Sequence, residues 1–291
     1  MVQFDETLYD LYRQSFSVDE IYFEQKTEHQ HLIIFLNGKF GRVMALDGIV
    51  QTTEADEFIY HEMMTHVPIF AHGEARRVLI IGGGDGGILR EVARHKAVEL
   101  ITMVEIDRAV IDMCQEYLPK HSAGAFDDPR LNLVIADGAD FMAKDDGSYD
   151  VIIVDSTDPI GPGEVLFEHT FYGNCRRRLS DRGVLVTQNG VAFMQPQEAA
   201  NSARAFSGLF ADAHFYHAAV PTYIGGSMLF GWAAMDADMR RTPVATLEER
   251  FADSGIQTRY YTPELHVGSF ALPRYVLDEV MKAKGRGPAC R

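Results

Sequence analysis

A chain of 291 residues, 46% hydrophobic and 24% charged, can bury a substantial core and falls in the range of one or two globular domains. Its formal net charge of -15 disfavours nucleic acid as a partner, because phosphate binding needs a basic face; acidity suits a cationic ligand, although it more often serves solubility. Cys114, Cys175 and Cys290 form no paired framework, the opening Met1 to Glu6 has neither a basic nor an apolar region, and the longest apolar runs are too short to span a bilayer, so a cytoplasmic enzyme is expected.

Up to about Glu54 the pattern predicts short strands joined by tight turns. Leu32 to Leu36 ends at Asn37-Gly38, and Arg42 to Leu46 ends at Asp47-Gly48. Both dipeptides readily take the positive φ angles of two-residue hairpins, which predicts a small antiparallel β domain over residues 1–55. From Asp56 to His66 the pattern turns helical, and Pro68 is expected to close the helix. Beyond Arg77, five apolar runs read as strands: Val78 to Ile81, Leu100 to Val104, Leu131 to Ile135, Val151 to Val154 and Val184 to Thr187. Helical stretches such as Ile88 to His95 and Ala109 to Leu118 separate them. That alternation predicts right-handed crossovers and a parallel, Rossmann-like α/β sheet covered on both faces, occupying residues 56–291. Phe215 to Val220 and Met228 to Ala234, around Gly225-Gly226, predict a hairpin at the sheet edge.

Ligands of such sheets sit outside the carboxyl ends of the strands. After the first strand comes Gly82-Gly83-Gly84-Asp85-Gly86-Gly87. A glycine turn alone is compatible with dinucleotides, nucleosides or plain tight packing. Asp85 within it would repel a pyrophosphate, and no Walker-type lysine follows. After the second strand comes Glu105; a lone Glu there would read first as a solvated strand end, but its spacing from the glycine loop favours a carboxylate that accepts from ribose hydroxyls. After the third, Asp137-Gly138 suits an adenine amino group and a close backbone contact. Together they describe a nucleoside pocket without a phosphate site, as S-adenosylmethionine-type ligands require.

The fourth strand ends in Asp155, with Asp158 three residues on and then Pro159-Ile160-Gly161-Pro162-Gly163, a loop able to cover a site. Each Asp could simply cap a turn. With Asp85 at a neighbouring strand end, however, up to three carboxylates converge, a costly arrangement unless a protonated amine neutralises it.

Gly82 to Gly87, Val104-Glu105-Ile106-Asp107, Asp155 to Pro159 with Ile160 to Glu164, and Tyr60-His61-Glu62-Met63 together resemble the polyamine aminopropyltransferases, spermidine synthases in particular. The resemblance runs from the first hairpins through at least Trp232 and thins past Asp236. It implies an N-terminal β domain before a methyltransferase-type Rossmann domain. Decarboxylated S-adenosylmethionine would be a co-substrate, with no prosthetic group and no metal. Putrescine would be the acceptor; cadaverine, agmatine or spermidine remain alternatives, as does a class I methyltransferase. It further implies Asp155 as general base assisted by Tyr60. His61, Asp85, Asp158, Tyr223 and Gln188 would surround the polyamine. Gln30, Gly82, Gly84, Glu105, Asp137, Gly138 and Pro162 would hold the nucleoside. A homodimer, or a homotetramer, is implied as well.

The chemistry is consistent with those roles. A sulfonium already activates its carbon, so the enzyme must align a neutral amine with it. An alkylammonium titrates near ~10.4 and arrives protonated. Asp155 can take the proton if neighbouring carboxylates raise its own affinity for one. Asp85 is expected to disfavour the carboxylate of ordinary S-adenosylmethionine. Tyr60 and His61, adjacent on a helix, cannot fully share one face. His29 and His31 are expected to face solvent or an interface.

Overall fold

The computed structural model describes residues 2–144, 147–156, 166 and 169–285. Asp158 and Pro162, with the Pro/Gly run around them, lie outside the described residues.

The chain opens with a two-stranded antiparallel ladder, β1 (Val2–Asp5) with β2 (Ser15–Val18). A four-stranded antiparallel sheet follows in sequence order: β3 (Glu20–Lys26), β4 (His31–Asn37), β5 (Gly41–Leu46) and β6 (Ile49–Thr53). Asp47-Gly48 makes the expected two-residue hairpin: Leu46 pairs with Ile49, and both turn residues have positive φ, 49° and 81°. Asn37-Gly38 does not. Asn37 pairs with Gly41 and leaves a three-residue loop, because the Asn37 side chain accepts from the Lys39 and Phe40 N–H groups and moves the positive φ (71°) to Gly41.

Helix α1 (Glu57–His72) runs through Pro68 rather than ending there. Every residue from Ile59 to His72 is buried, so packing on both sides of the proline offsets the missing hydrogen bond. The helix ends instead at Gly73, whose left-handed φ lets its N–H reach the Ile69 carbonyl.

The rest of the chain alternates: β7 (Arg77–Gly82), α2 (Gly87–Ala93), β8 (Leu100–Glu105), α3 (Arg108–Tyr117), α4 (Pro119–Ser122), β9 (Leu131–Ile135), α5 (Gly138–Ala143), β10 (Tyr149–Asp155), α6 (His169–Arg177), β11 (Leu179–Val191), α7 (Pro196–Phe206), β12 (Asp212–Ala218) and β13 (Met228–Ala234). The seven strands form one sheet in the order β12-β13-β11-β10-β7-β8-β9. The last five in that order run parallel, while the expected hairpin β12-β13 supplies an antiparallel edge. Among the described residues three further helices follow, α8 (Val244–Ser254), α9 (Pro263–Ser269) and α10 (Arg274–Ala283), in a region for which the sequence offered no reading.

Alternate residues of the central strands face two cores. Val78, Ile80, Val151 and Ile153 pack with α1 and α2, while Leu79, Ile81, Ile152 and Val154 pack with α6, α7 and α10. A third cluster joins the N-terminal sheet to this body: Leu32, Ile34, Met44 and Leu46 meet Val110, Cys114 and Leu118. Glu62 on α1 pins the C-terminal part, accepting the backbone N–H groups of Arg259, Tyr260 and Tyr261, each at 2.8 Å. Among the described residues, no helix is long and apolar enough to cross a membrane.

Candidate active site

Strand order reverses between β7 and β10, which are neighbours although β8 and β9 lie between them in sequence. A crevice opens at such a switch point. Here it is a deep cleft beyond the carboxyl ends of β7, β8 and β10, covered from the other side by Met44, Leu46 and Ile49 to Gln51 of the N-terminal sheet.

One end of the cleft is floored by glycine. Gly82 has a φ of 82°, and a Cβ there would stand 1.9 Å from the Asp155 carbonyl oxygen. A Cβ on Gly84 would meet Val110 Cγ1 at 2.8 Å and Glu105 Oε2 at 3.0 Å, and one on Gly138 would meet Ile81 Cγ2 at 2.6 Å. Tight packing therefore demands all three, and their bare backbone also leaves room for a ligand. Glu105 accepts the Asp107 N–H at 3.0 Å, and burial pushes it up to about 7 against the pull of the Asp107 and Ile106 N–H groups. Asp137 caps α5, its Oδ1 accepting from Ala139 at 2.7 Å and Asp140 at 3.1 Å, and it lines the cleft as well. Gln30, on the turn between β3 and β4, donates to Asp107 Oδ2 at 3.3 Å; Thr27 donates to the same oxygen at 2.8 Å. Asp107 thus ties that turn to the cleft.

The other end is built of ionisable groups. Tyr60 donates to Asp155 Oδ1 at 2.6 Å. Burial and the Asp155 charge hold the Tyr60 phenol well above its usual range, which keeps it a donor. Burial first, and the Asp85 charge second, push Asp155 up to about 6 against the Tyr60 hydrogen bond and the His61 charge. The expectation placed neighbouring carboxylates first; desolvation comes ahead of them. Asp85 accepts the Gly87 N–H at 2.8 Å and lies 3.3 Å from His61 Nε2. Burial opposes its charge, but His61 prevails and holds Asp85 well below the usual carboxylate range. Burial likewise works against a charge on His61, yet Asp85 and Glu57 outweigh it and push His61 up to about 10. The carboxylate cluster is therefore not bare: His61, pushed towards its charged form, sits within it.

Tyr60 and His61 both line the cleft although they are adjacent, with rings 5.6 Å apart and nearly perpendicular. Their faces do diverge, Tyr60 reaching β10 and His61 the loop after β7. Tyr223 donates to the Gln51 carbonyl, with its ring 5.9 Å from that of Tyr60. Gln188 is buried, and its Oε1 accepts the Gly190 N–H at 3.1 Å. His31 faces solvent beside Glu24, as expected, whereas exposed His29 also lines the mouth of the cleft. Sequence reasoning missed Glu6, Tyr9, Gln51 and Gln195, which line the same end, and Glu57 behind His61. Only Glu57 had a local signal, its helical spacing of four from His61.

Residues 57–242 match the family described as the spermine/spermidine synthase domain, and residues 3–54 match the spermidine synthase tetramerisation domain. Polyamine aminopropyltransferase 1 of Pseudomonas aeruginosa is 65% identical over 282 residues, 97% of this chain and 99% of that protein. The polyamine aminopropyltransferase of Pseudomonas syringae pv. tomato is 63% identical over 283 residues, with coverages of 97% and 99%. A crystal structure of spermidine synthase in complex with the transition state analogue AdoDATO matches with a TM-score of 0.90 at 37% identity, covering 98% of this chain and 95% of that one. Spermidine synthase from Thermotoga maritima matches with a TM-score of 0.89 at 36% identity, covering 98% and 94%.

Proposed function

The chain belongs to the spermine/spermidine synthase family and is an aminopropyltransferase of polyamine synthesis, and on that premise we propose that it moves the aminopropyl group of decarboxylated S-adenosylmethionine to putrescine with Asp155 as general base. The observation that carries this reading is the meeting of Asp155, held by Tyr60, with the glycine-floored end of the cleft at Gly82, where β7 and β10 pair.

In the proposed reaction the amine nitrogen attacks the carbon beside the sulfonium. A C–N bond forms, the C–S bond breaks with its electron pair going to sulfur, and methylthioadenosine leaves. The nitrogen must shed a proton, and Asp155 takes it. Tyr60 occupies one carboxylate oxygen of Asp155 and fixes the group's orientation, leaving the other for the amine. Glu105, Asp137, Gln30, Gly82, Gly84 and Gly138 would hold the nucleoside. Asp85, His61, Tyr223 and Gln188 would surround the diamine, together with Asp158, and Pro162 would help to hold the nucleoside. Asp85 would still disfavour a donor carboxylate, though less than a bare charge, because His61 stands beside it.

The same reading takes residues 1–55 as the β domain and 56–291 as the catalytic domain. It assigns a homodimer or homotetramer, which the match of residues 3–54 to a tetramerisation domain supports. It also assigns the cytoplasm, which the free, buried thiols of Cys114 and Cys175 support.

The test is product analysis by mass spectrometry, with putrescine, cadaverine, agmatine and spermidine each offered with decarboxylated and ordinary S-adenosylmethionine. Spermidine and methylthioadenosine, formed fastest from putrescine and the decarboxylated donor, are expected. S-adenosylhomocysteine as the product would overturn the reading. A higher kcat/KM for another amine would replace the acceptor.

A further inference from the structure

We propose that Glu57 is a positioning residue of the acceptor site: by gripping His61 Nδ1 it fixes that ring as a two-sided donor aimed at Asp85. The proposal rests on the reading of the cleft given above.

Glu57 stands in the first turn of α1, where an anion is favoured, with a side chain only 9% exposed. Its Oε2 lies 2.6 Å from His61 Nδ1, one helical turn on. Arg90 of α2 grips both Glu57 oxygens, Nη2 to Oε2 at 2.9 Å and Nη1 to Oε1 at 3.3 Å. Arg90 is itself anchored by the carbonyls of Lys120 and His121, at 3.1 and 2.7 Å, and by Glu91 Oε1 at 2.8 Å. The carboxylate beside His61 is therefore locked from behind.

The ring is locked as well. A Cβ on Gly87 would stand 2.2 Å from His61 Cε1 and Nδ1, so the imidazole lies directly on that backbone. Its second nitrogen, Nε2, is 3.3 Å from Asp85 Oδ2. An ionised carboxylate only accepts hydrogen bonds, and a neutral imidazole carries one N–H. Facing two carboxylates, the ring satisfies both only as imidazolium. Glu57 thus decides whether Asp85 has a positive partner.

Other groups around His61 do not supply that charge. Tyr60 is a neutral donor to Asp155. His121 on α4 has its ring 6.1 Å away; burial lowers its affinity for a proton, and its Nε2 is 2.9 Å from Thr52 Oγ1. Arg90 lies behind Glu57 and is paired with it. If Glu57 loses its charge, His61 loses one of two anionic partners and releases its proton at a lower pH. Asp155 then feels Asp85 without the imidazolium beside it. His61 lines the cleft with Asp155 and its charge acts on that carboxylate, whereas Glu57 stands behind it, so the lost positive charge outweighs the lost negative one. Asp155 keeps its proton to higher pH, and turnover falls on the acid side.

The experiment follows the ring nitrogens of His61 by 15N NMR in unliganded wild type, Glu57→Gln and Glu57→Asp, with pH profiles of kcat for the same proteins. We expect wild-type His61 to remain doubly protonated at pH 8 and to be neutral in Glu57→Gln already at pH 6, where the acid limb lies. The acid limb of kcat should move up by about half to one pH unit, which is about three- to tenfold in rate on that limb. Donor KM should stay within about twofold if the nucleoside end is untouched. Glu57→Asp should recover most of both changes. A wild-type His61 that titrates between pH 6 and 7 overturns the proposal, and that measurement needs no variant. So does a folded Glu57→Gln protein whose His61 stays charged and whose limb does not move. Because the NMR needs no substrate, its outcome is separate from whether methylthioadenosine is formed.

Discussion

At the end of the cleft proposed for the nucleoside, Glu105 and Asp137 are held by backbone N–H groups two or three residues along the chain. At the end proposed for the amine, Asp155 is held by a tyrosine 95 residues away, and Asp85 by a histidine on that same helix. The first end is a property of individual strand–helix turns and takes shape wherever those turns form. The second exists only once α1 has docked across β7 and β10. Their electrostatics differ in the same way. Glu105 is shifted by burial with no opposite charge to relieve it, whereas the amine end sets His61 among Glu57, Asp85 and Asp155. Binding of the donor should therefore tolerate changes on α1 that turnover does not.

The largest break in that contrast is Asp155→Asn. The amide preserves shape and can still accept from Tyr60, but it takes up no proton. We expect kcat to fall about 10²- to 10⁴-fold with donor KM little changed, and the acid limb near pH 6 to vanish. A loss under about tenfold in steady-state assays sinks the base assignment. Stability should move the other way. A carboxyl raised above its unfolded value of 3.8 to about 6 contributes stability below pH 3.8 that is lost as pH rises through 6. At pH 8 the wild type buries a charge at a cost, so thermal denaturation should find Asp155→Asn no less stable than wild type.

The same contrast explains what could be read from sequence. The glycine loop, Glu105 and Asp137 are legible because each follows an apolar strand at a fixed spacing, and the parallel sheet is legible for the same reason. Asp47-Gly48 was readable because its own φ angles make the turn, whereas Asn37-Gly38 misled because a side chain rather than a glycine shapes that loop. Pro68 misled because local propensity says nothing of burial on both flanks. The partnership of Tyr60 with Asp155 came only through family resemblance. Tyr9 and Gln195, joined across 186 residues, gave no sign at all. Nothing in a local pattern records which loops meet over a cleft.

A smaller effect tests the nucleoside end. Glu105→Gln keeps the shape and removes a charged acceptor, for which donor affinity should fall about tenfold while kcat holds, a loss on the scale of one charge-assisted hydrogen bond. The sign with pH is definite. Glu105 is pushed up to about 7, so below pH 7 the wild type already carries a neutral acid, and the two proteins converge. Above pH 7 they diverge. Calorimetric titration with methylthioadenosine at pH 6 and pH 8.5 reads this directly; an equal deficit at both values would mean that Glu105 does not change charge within the site.

Tyr60→Phe should produce the smallest change and the most informative one, because it alters α1 without touching the nucleoside end. The Tyr60 O–H stabilises the Asp155 anion, so removing it raises the affinity of Asp155 for a proton. The proposed base works only when ionised, so the acid limb of kcat moves to higher pH, by about half a unit for a hydrogen bond of ordinary net strength. Turnover at pH 6 should fall about twofold, with a smaller change at pH 8, where Asp155 is ionised in both proteins. Methylthioadenosine affinity should not change at either pH. If it falls with turnover, α1 shapes the nucleoside end too, and the division between a local and a long-range end fails at Tyr60. If only the limb moves, the helix acts on the chemistry through the charge state of one carboxylate.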